Sequence, residues 1–149
     1  MPKIAETRGA TSADFEFAWN LYAKTVRPLI EPHIMSERNE PWIEGNEQTR
    51  FSAIWDPARA MVITCEGSPI GWLSVAESDD AVLLENFYIE VDFRNQGLGT
   101  AILEWLCGRH KKRPITTTII TGSPSRSLYE RAGFVETQRV GFQTVMQLT

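Results

Sequence analysis

Hydrophobic positions recur along this chain in two periods, and the switch between them divides it. After Thr11, the residues Phe15, Ala18, Trp19, Tyr22 and Val26 fall at helical spacing and define one apolar face. Thr11 followed three residues on by Asp14 reads as the start of that helix: a hydroxyl cap, with an acid near the positive end of the dipole. Residues 4–8 read as a strand ahead of it, and Pro28 is expected to end or bend the helix. Residues 29–48, with Pro32, Pro41 and many acids, are the least periodic part, and a second helix is expected over 44–54, closed by Pro57. The period then becomes that of strands: 60–65, a turn at Glu66-Gly67-Ser68-Pro69, and a return strand at 70–76. After a turn at 78–80, a long strand is expected over 81–91. A helix over 97–113 turns Leu98, Ile102, Trp105 and Leu106 inward, with Pro114 beyond its end. A β-branched strand over 115–121, a short helix over 124–131 stopped by Gly133, and a terminal hairpin of 135–140 and 142–148 complete the reading.

The resulting order, β-α-α-β-β-β-α-β-α-β-β, predicts one mixed α/β domain over residues 1–149. A central, mostly antiparallel sheet of six to seven strands is flanked by four helices. The strand-helix-strand crossover over 81–121 makes its two strands parallel.

A length of 149 residues, 42% hydrophobic and 23% charged, suits one globular domain with its own core. The net charge of −4 weighs against a nucleic-acid partner, which calls for a basic face. Cys65 and Cys107 form no pattern and read as free thiols in a reducing compartment. No apolar run approaches the ~18 residues of a membrane span, and residues 1–10 lack a signal-peptide stretch, so a cytoplasmic location is expected. His33 has no partners at metal-ligand spacing, and no metal is expected.

The segment carrying most chemistry is Val91-Asp92-Phe93-Arg94-Asn95-Gln96-Gly97-Leu98-Gly99-Thr100. It sets glycines where a helix opens directly after a strand. Helix starts leave amides free under a positive dipole, and glycine admits a ligand close to the backbone, which together seat a phosphate or diphosphate. A kinase-type phosphate loop requires Gly-Lys-Ser/Thr, but Gly99 precedes Thr100 and Ala101; a dinucleotide fingerprint requires a third glycine where Ile102 stands. What remains, Arg94-x-x-Gly97-x-Gly99, is similar to the pyrophosphate-binding loop of the GNAT N-acetyltransferases. A second segment, Ser123-Pro124-Ser125-Arg126-Ser127-Leu128-Tyr129-Glu130-Arg131-Ala132-Gly133-Phe134, resembles that family's other signature and follows the next strand, where the family places it. Ser123 stands where the family carries Asn. The predicted element order is that of the family as well, so the resemblance spans nearly the whole chain.

The resemblance implies acetyl-coenzyme A as co-substrate, with Ile89, Glu90, Val91, Arg94, Asn95, Gln96, Gly97, Leu98, Gly99, Thr100, Ser123 and Tyr129 as its binding residues. It implies that the strand before the glycine loop bulges and splays from its parallel neighbour, and that pantetheine lies in the gap. A backbone N–H near Tyr88 or Ile89 would polarise the thioester carbonyl. Tyr129 matches the tyrosine that protonates the leaving thiolate in many members. An alkylamine, with pKa near 10.4, must lose a proton before it attacks. Glu85 is the first candidate base, placed by strand alternation on the face of Phe87 and Ile89; Glu31, Glu44 and Glu47 follow it. The acids Glu31, Glu37, Glu40, Glu44 and Glu47 with Trp42 and His33 also offer a surface for a cationic amine. The leading reading is acetylation of a primary amine of a small molecule. A protein N-terminus or lysine as acceptor, and a non-catalytic acyl-coenzyme A sensor, are the alternatives. The terminal hairpin offers an edge for a homodimer.

Overall fold

A computed structural model describes residues 5–110 and 112–149; Ile4 of the first expected strand lies outside them. The seven strands are β1 (Ala5–Gly9), β2 (Ala60–Cys65), β3 (Ser68–Glu77), β4 (Val82–Ile89), β5 (Ile115–Ile120), β6 (Val135–Val140) and β7 (Gln143–Leu148). The four α-helices are α1 (Phe15–Arg38), α2 (Glu44–Ile54), α3 (Leu98–Arg109) and α4 (Arg126–Arg131), so the expected order stands. One sheet holds every strand, in the order β1-β2-β3-β4-β5-β7-β6. All neighbours are antiparallel except β4 and β5, the crossover pair. Among the described residues no helix is long and apolar enough to cross a membrane.

The sheet divides the core in two. On one face Ile63, Leu73, Leu84, Ile89 and Ile115 pack with Leu98, Ile102, Leu103 and Leu106 of α3 and with Tyr129 and Phe134. On the other, Trp72 packs with Ala18, Trp19 and Leu21 of α1 and Phe51 of α2. Leu103, not Trp105, completes the buried stripe of α3; Trp105 is 38% exposed and lies under the Arg109 guanidinium. Its position falls about a quarter-turn off the arc centred on residues 98, 102, 103 and 106.

The α1 start follows the sequence: Thr11 Oγ1 accepts from the Ala13 amide, the Thr11 amide donates to Asp14 at 2.8 Å, and Arg8 pairs with Asp14. Its end does not. α1 runs ten residues past Pro28 and through Pro32 to Arg38, where Asn39 at φ 52° stops it. Each proline removes one amide donor, but the two stand four apart on the exposed face, where water serves the freed carbonyls. The first hairpin turn is also tighter than expected. Glu66 (φ 53°) and Gly67 (φ 82°) alone make the loop, with Cys65 opposite Ser68, so Ser68 and Pro69 belong to β3. β4 ends at Ile89 rather than at residue 91, because Val91–Phe93 turns into a short 3-10 segment.

Candidate active site

Two strands that begin side by side come apart, and the site is built around that fork. β4 pairs with β5 only at Val82↔Ile115, Leu83↔Thr116 and Leu84↔Thr117. Beyond that point β4 stays with β3 to Ile89, while β5 stays with β7 to Ile120. The cause is local. The β3–β4 register slips between Ser74 and Val75, which face Asn86 and Leu84, so Glu85 is an extra residue in β4. The last rung is clamped by Thr117, whose hydroxyl donates to the Leu84 carbonyl at 3.0 Å.

The bulge resets which way β4 side chains point. Leu84, Phe87 and Ile89 belong to the α3-side core, whereas Tyr88 packs on Trp72 toward α1 and α2. Glu85 lines a cavity with Phe51, Trp55, Trp72 and Asn86, so it lies on the α2 side and not on the face of Phe87 and Ile89. Plain alternation fails there because one inserted residue inverts the count. Glu85 is half-buried, and its carboxylate lies 3.4 Å from Arg59. Past the bulge, the Glu90 amide donates to the Ile70 carbonyl at 2.7 Å and is therefore spent on β3. Alternation then turns the amide of Ile89 into the gap, which selects it over that of Tyr88.

Next to the gap, α3 begins. Asn95 (φ 59°) and Gly97 (φ 80°) are left-handed, and together they turn the chain from the 3-10 segment into the helix axis. No side chain caps α3, and its first turn holds no acid. The first intrahelical bond is Ala101 to Gly97, which leaves the amides of Leu98, Gly99 and Thr100 with no acceptor among the described residues. A Cβ built on Gly99 would stand 3.6 Å from both Ile89 and Leu128, so this turn sits where β4, α3 and α4 meet. Arg94 donates to the Ile89 carbonyl at 2.7 Å and to Thr25 at 3.3 Å, and Gln96 donates to the Asp92 carbonyl at 2.7 Å. Val91 is exposed, and Glu90 pairs with Lys24 at 2.6 Å. Uncapped amides, no nearby acid in the turn and a dipole pointing outward suit a diphosphate such as that of coenzyme A.

Below the fork, Tyr129 of α4 is 4% exposed and edge-on to Phe134, with the Thr117 hydroxyl nearby. Burial pushes its phenol up to about 12, with the nearby Thr117 hydroxyl opposing the rise. Ser123 makes a turn cap: its hydroxyl meets that of Ser125 at 2.8 Å and accepts the Ser125 amide at 3.2 Å.

Three acids of the connection are paired from within. Arg27 pairs with Glu31 at 2.6 Å and reaches Glu44 at 3.9 Å; Glu47 pairs with Arg50. Trp42 is buried, bonded to Glu44 and covered by Arg27, and His33 stacks on Phe142. These residues therefore hold α1 in place instead of presenting a free aromatic surface. α1 touches the segment just after β4 through Lys24 and Thr25 and the terminal hairpin through His33, and so crosses above the fork. The sequence reading missed Thr117, because one inward threonine within Thr116-Thr117-Thr118 is indistinguishable by type from its neighbours. It missed the chain Tyr88–Asn86–Ser74 for the same reason that it misplaced Glu85. Among the described residues no group of three or more metal-ligating side chains comes together.

Comparison with known proteins agrees with this fold. A family model described as acetyltransferase (GNAT) domain matches residues 56–136. No curated protein sequence matches significantly. Among solved structures, the chain is similar to PaiA N-acetyltransferase from Thermoplasma acidophilum in complex with coenzyme A (16% identity, 97% of this chain and 98% of that one, TM-score 0.68). It is similar to Ard1 from Thermoplasma volcanium (19%, 97% and 96%, TM-score 0.67). It is also similar to the ribosomal-protein-S18-alanine N-acetyltransferase from Escherichia coli (20%, 97% and 91%, TM-score 0.62).

Proposed function

Because this chain belongs to the GNAT acetyltransferases, we propose that it carries the acetyl group of acetyl-coenzyme A to the primary amine of a small molecule. One juxtaposition supports the reading most: three uncapped amides at the start of α3 stand beside the gap where β4 leaves β5. The amides of Leu98, Gly99 and Thr100 hold the diphosphate, on a loop shaped by Arg94, Asn95, Gln96 and Gly97. When bound, acetyl-coenzyme A supplies an acyl carbon activated as a thioester. The Ile89 amide, turned into the gap, polarises the acyl oxygen. Glu85 takes the amine proton from the α2 side, directly or through water. Tyr129, below the fork, remains protonated at neutral pH and donates to the sulfur as it gains charge. A phenol at about 12 lies roughly three and a half units above a thiol near 8.5, so it lends a hydrogen bond rather than surrendering its proton outright. Ser123 supports the α4 turn on the cofactor side.

The position of α1 favours a compact acceptor. Residues 24 to 33 advance roughly 13 Å along the helix and bar the space above the fork, where a peptide would lie. The two free cysteines are consistent with a cytoplasmic setting. β6, exposed along its whole length at the sheet margin, is the edge on which a second copy would pair.

The test is thiol release from acetyl-coenzyme A across a panel of small primary amines and N-terminally free peptides. The reading expects at least one small amine to exceed the best peptide in kcat/KM. Release with peptides alone would transfer the assignment to protein acetylation, and binding without release in any arm would leave only a sensor.

A further inference from the structure

Gly71 of β3 stands directly opposite Ile89 of β4. It is buried inside a strand and its φ is not positive, so no turn and no left-handed conformation calls for glycine there. Proximity calls for it. The neighbouring pair, Ile70 and Glu90, is joined by a backbone hydrogen bond at 2.7 Å, which makes Gly71 and Ile89 a non-hydrogen-bonded pair, the closer of the two kinds. A Cβ built on Gly71 would come nearer than 3.0 Å to the Tyr88 carbonyl oxygen, a separation that real Cβ atoms do not show, and would stand 3.2 Å from the Ile89 Cα. Both are backbone atoms. The third neighbour, Ile63 Cδ1 at 3.3 Å, is the tip of a side chain.

The Tyr88 carbonyl and the Ile89 N–H are opposite ends of one planar trans peptide. The carbonyl end lies against β3, so the N–H end is turned away from β3 and into the gap. This peptide has little room to slide. Before it, Asn86 donates to Ser74 at 2.9 Å and accepts from Tyr88 at 3.1 Å; after it, Arg94 holds the Ile89 carbonyl at 2.7 Å. β3 is an inner strand backed by β2, so it does not retreat either. A side chain at position 71 therefore tilts the 88–89 peptide, and a hydrogen-bond donor loses strength as its angle closes. Resting on the reading in which the Ile89 amide polarises the thioester, we propose that Gly71 is a positioning residue. Its missing side chain lets β3 close on the Tyr88–Ile89 peptide and aim the Ile89 N–H at the acyl oxygen. Gly71 acts through that peptide and not by contact with the ligand.

The experiment uses the full-length protein labelled with ¹⁵N, with coenzyme A or with acetyl-coenzyme A carrying ¹³C at the acetyl carbonyl. In wild type the Ile89 amide proton is expected further downfield with acetyl-coenzyme A than with coenzyme A, and the bound carbonyl carbon downfield of the free thioester. In Gly71→Ala both displacements should shrink by at least half, while the Kd for coenzyme A changes less than threefold. Thiol release with the fastest amine of the panel should lose at least tenfold in kcat. Ile63→Val removes Cδ1 and leaves the backbone contact, so Gly71→Ala/Ile63→Val separates positioning from packing. The double variant is expected to regain part of the Tm lost in Gly71→Ala and none of the kcat or the displacements; should Gly71→Ala not fold, it carries the comparison with wild type. Displacements and kcat that recover together with Tm overturn the inference, as does a Gly71→Ala protein that keeps both. A wild-type Ile89 proton that ignores the acetyl group overturns it together with the donor role of Ile89. If the displacements behave as expected but no amine of the panel releases thiol, the inference stands and the small-amine reading falls.

Discussion

Replacing Tyr129 by Phe removes one oxygen from the base of the fork and little else. The ring keeps its edge contact with Phe134 and its place in the α3-side core. Thr117 keeps its bond to the Leu84 carbonyl, so no buried group is orphaned. The expected stability loss is at most that of one hydrogen bond, about 1 kcal/mol, or no more than roughly 2–4 °C in Tm for a domain of this size. The catalytic loss is larger, because in the wild type the phenol, held at about 12, is fully protonated and faces a sulfur that becomes negative. A hydrogen bond to a charged group contributes about 1.5–3 kcal/mol, which translates to a kcat lower by roughly 10- to 150-fold. The KM for acetyl-coenzyme A should change less than twofold, because the diphosphate is gripped elsewhere. The assay is steady-state thiol release with saturating amine, accompanied by a melting curve. A kcat within twofold of wild type would refute the role of Tyr129. A parallel rise in the cofactor KM would show that the hydroxyl serves binding and not the leaving group.

Three further outcomes follow from the same geometry. Gly97→Ala forces a side chain onto φ 80° at a cost of about 1–2 kcal/mol, so Tm should fall by roughly 2–8 °C and the KM for acetyl-coenzyme A should rise severalfold. An unaltered KM would mean that the loop does not shape the cofactor seat. Glu85→Gln should lower kcat/KM for the amine at pH 7 by at least tenfold and lose less at pH 10, where more of the amine is already neutral; an equal loss at both pH values would mark Glu85 as structural. His110 is buried; Arg113, which only donates, faces Nδ1 at 2.8 Å, so Nε2 carries the proton toward Glu77 at 3.1 Å. Burial holds its pKa below 6.5. The unfolded chain therefore takes up the proton first as pH falls. The associated stability is present above pH 6.5 and is lost below it, and the drop in Tm from pH 7.5 to 5.5 should be smaller in His110→Gln than in wild type.

Apolar periodicity and turn residues together located most elements, including β6, which is exposed along its whole length. The ranges 44–54, 60–65 and 135–140 match α2, β2 and β6 residue for residue. It failed where one residue changes the geometry without changing the composition. Pro28 and Pro32 looked like stops, yet both lie on the exposed side of α1, where a missing amide costs least. Glu66 gave no sign that it adopts a left-handed φ, so the hairpin turn was drawn two residues too long. A bulge in β4 was expected from family resemblance, with Glu85 ahead of it; the extra residue is Glu85 itself, so counting by twos from it put the carboxylate on the wrong face. Trp105 was assigned inward with Leu98, Ile102 and Leu106, but the buried arc turns the other way and takes in Leu103. At the site, the glycine loop was legible because Gly97 and Gly99 have no other reason to open a helix. Thr117 was not, because its importance lies in a partner that is distant in sequence.

The central claim is that free backbone amides, not side chains, seat the cofactor. Titrating the ¹⁵N-labelled protein with coenzyme A and following its amide peaks tests this directly. The account predicts that the amides of Leu98, Gly99 and Thr100 move furthest and downfield, as donors that acquire a charged acceptor. If those three stay in place while coenzyme A binds and shifts amides elsewhere, the diphosphate lies in another part of the molecule and the site described above is wrong.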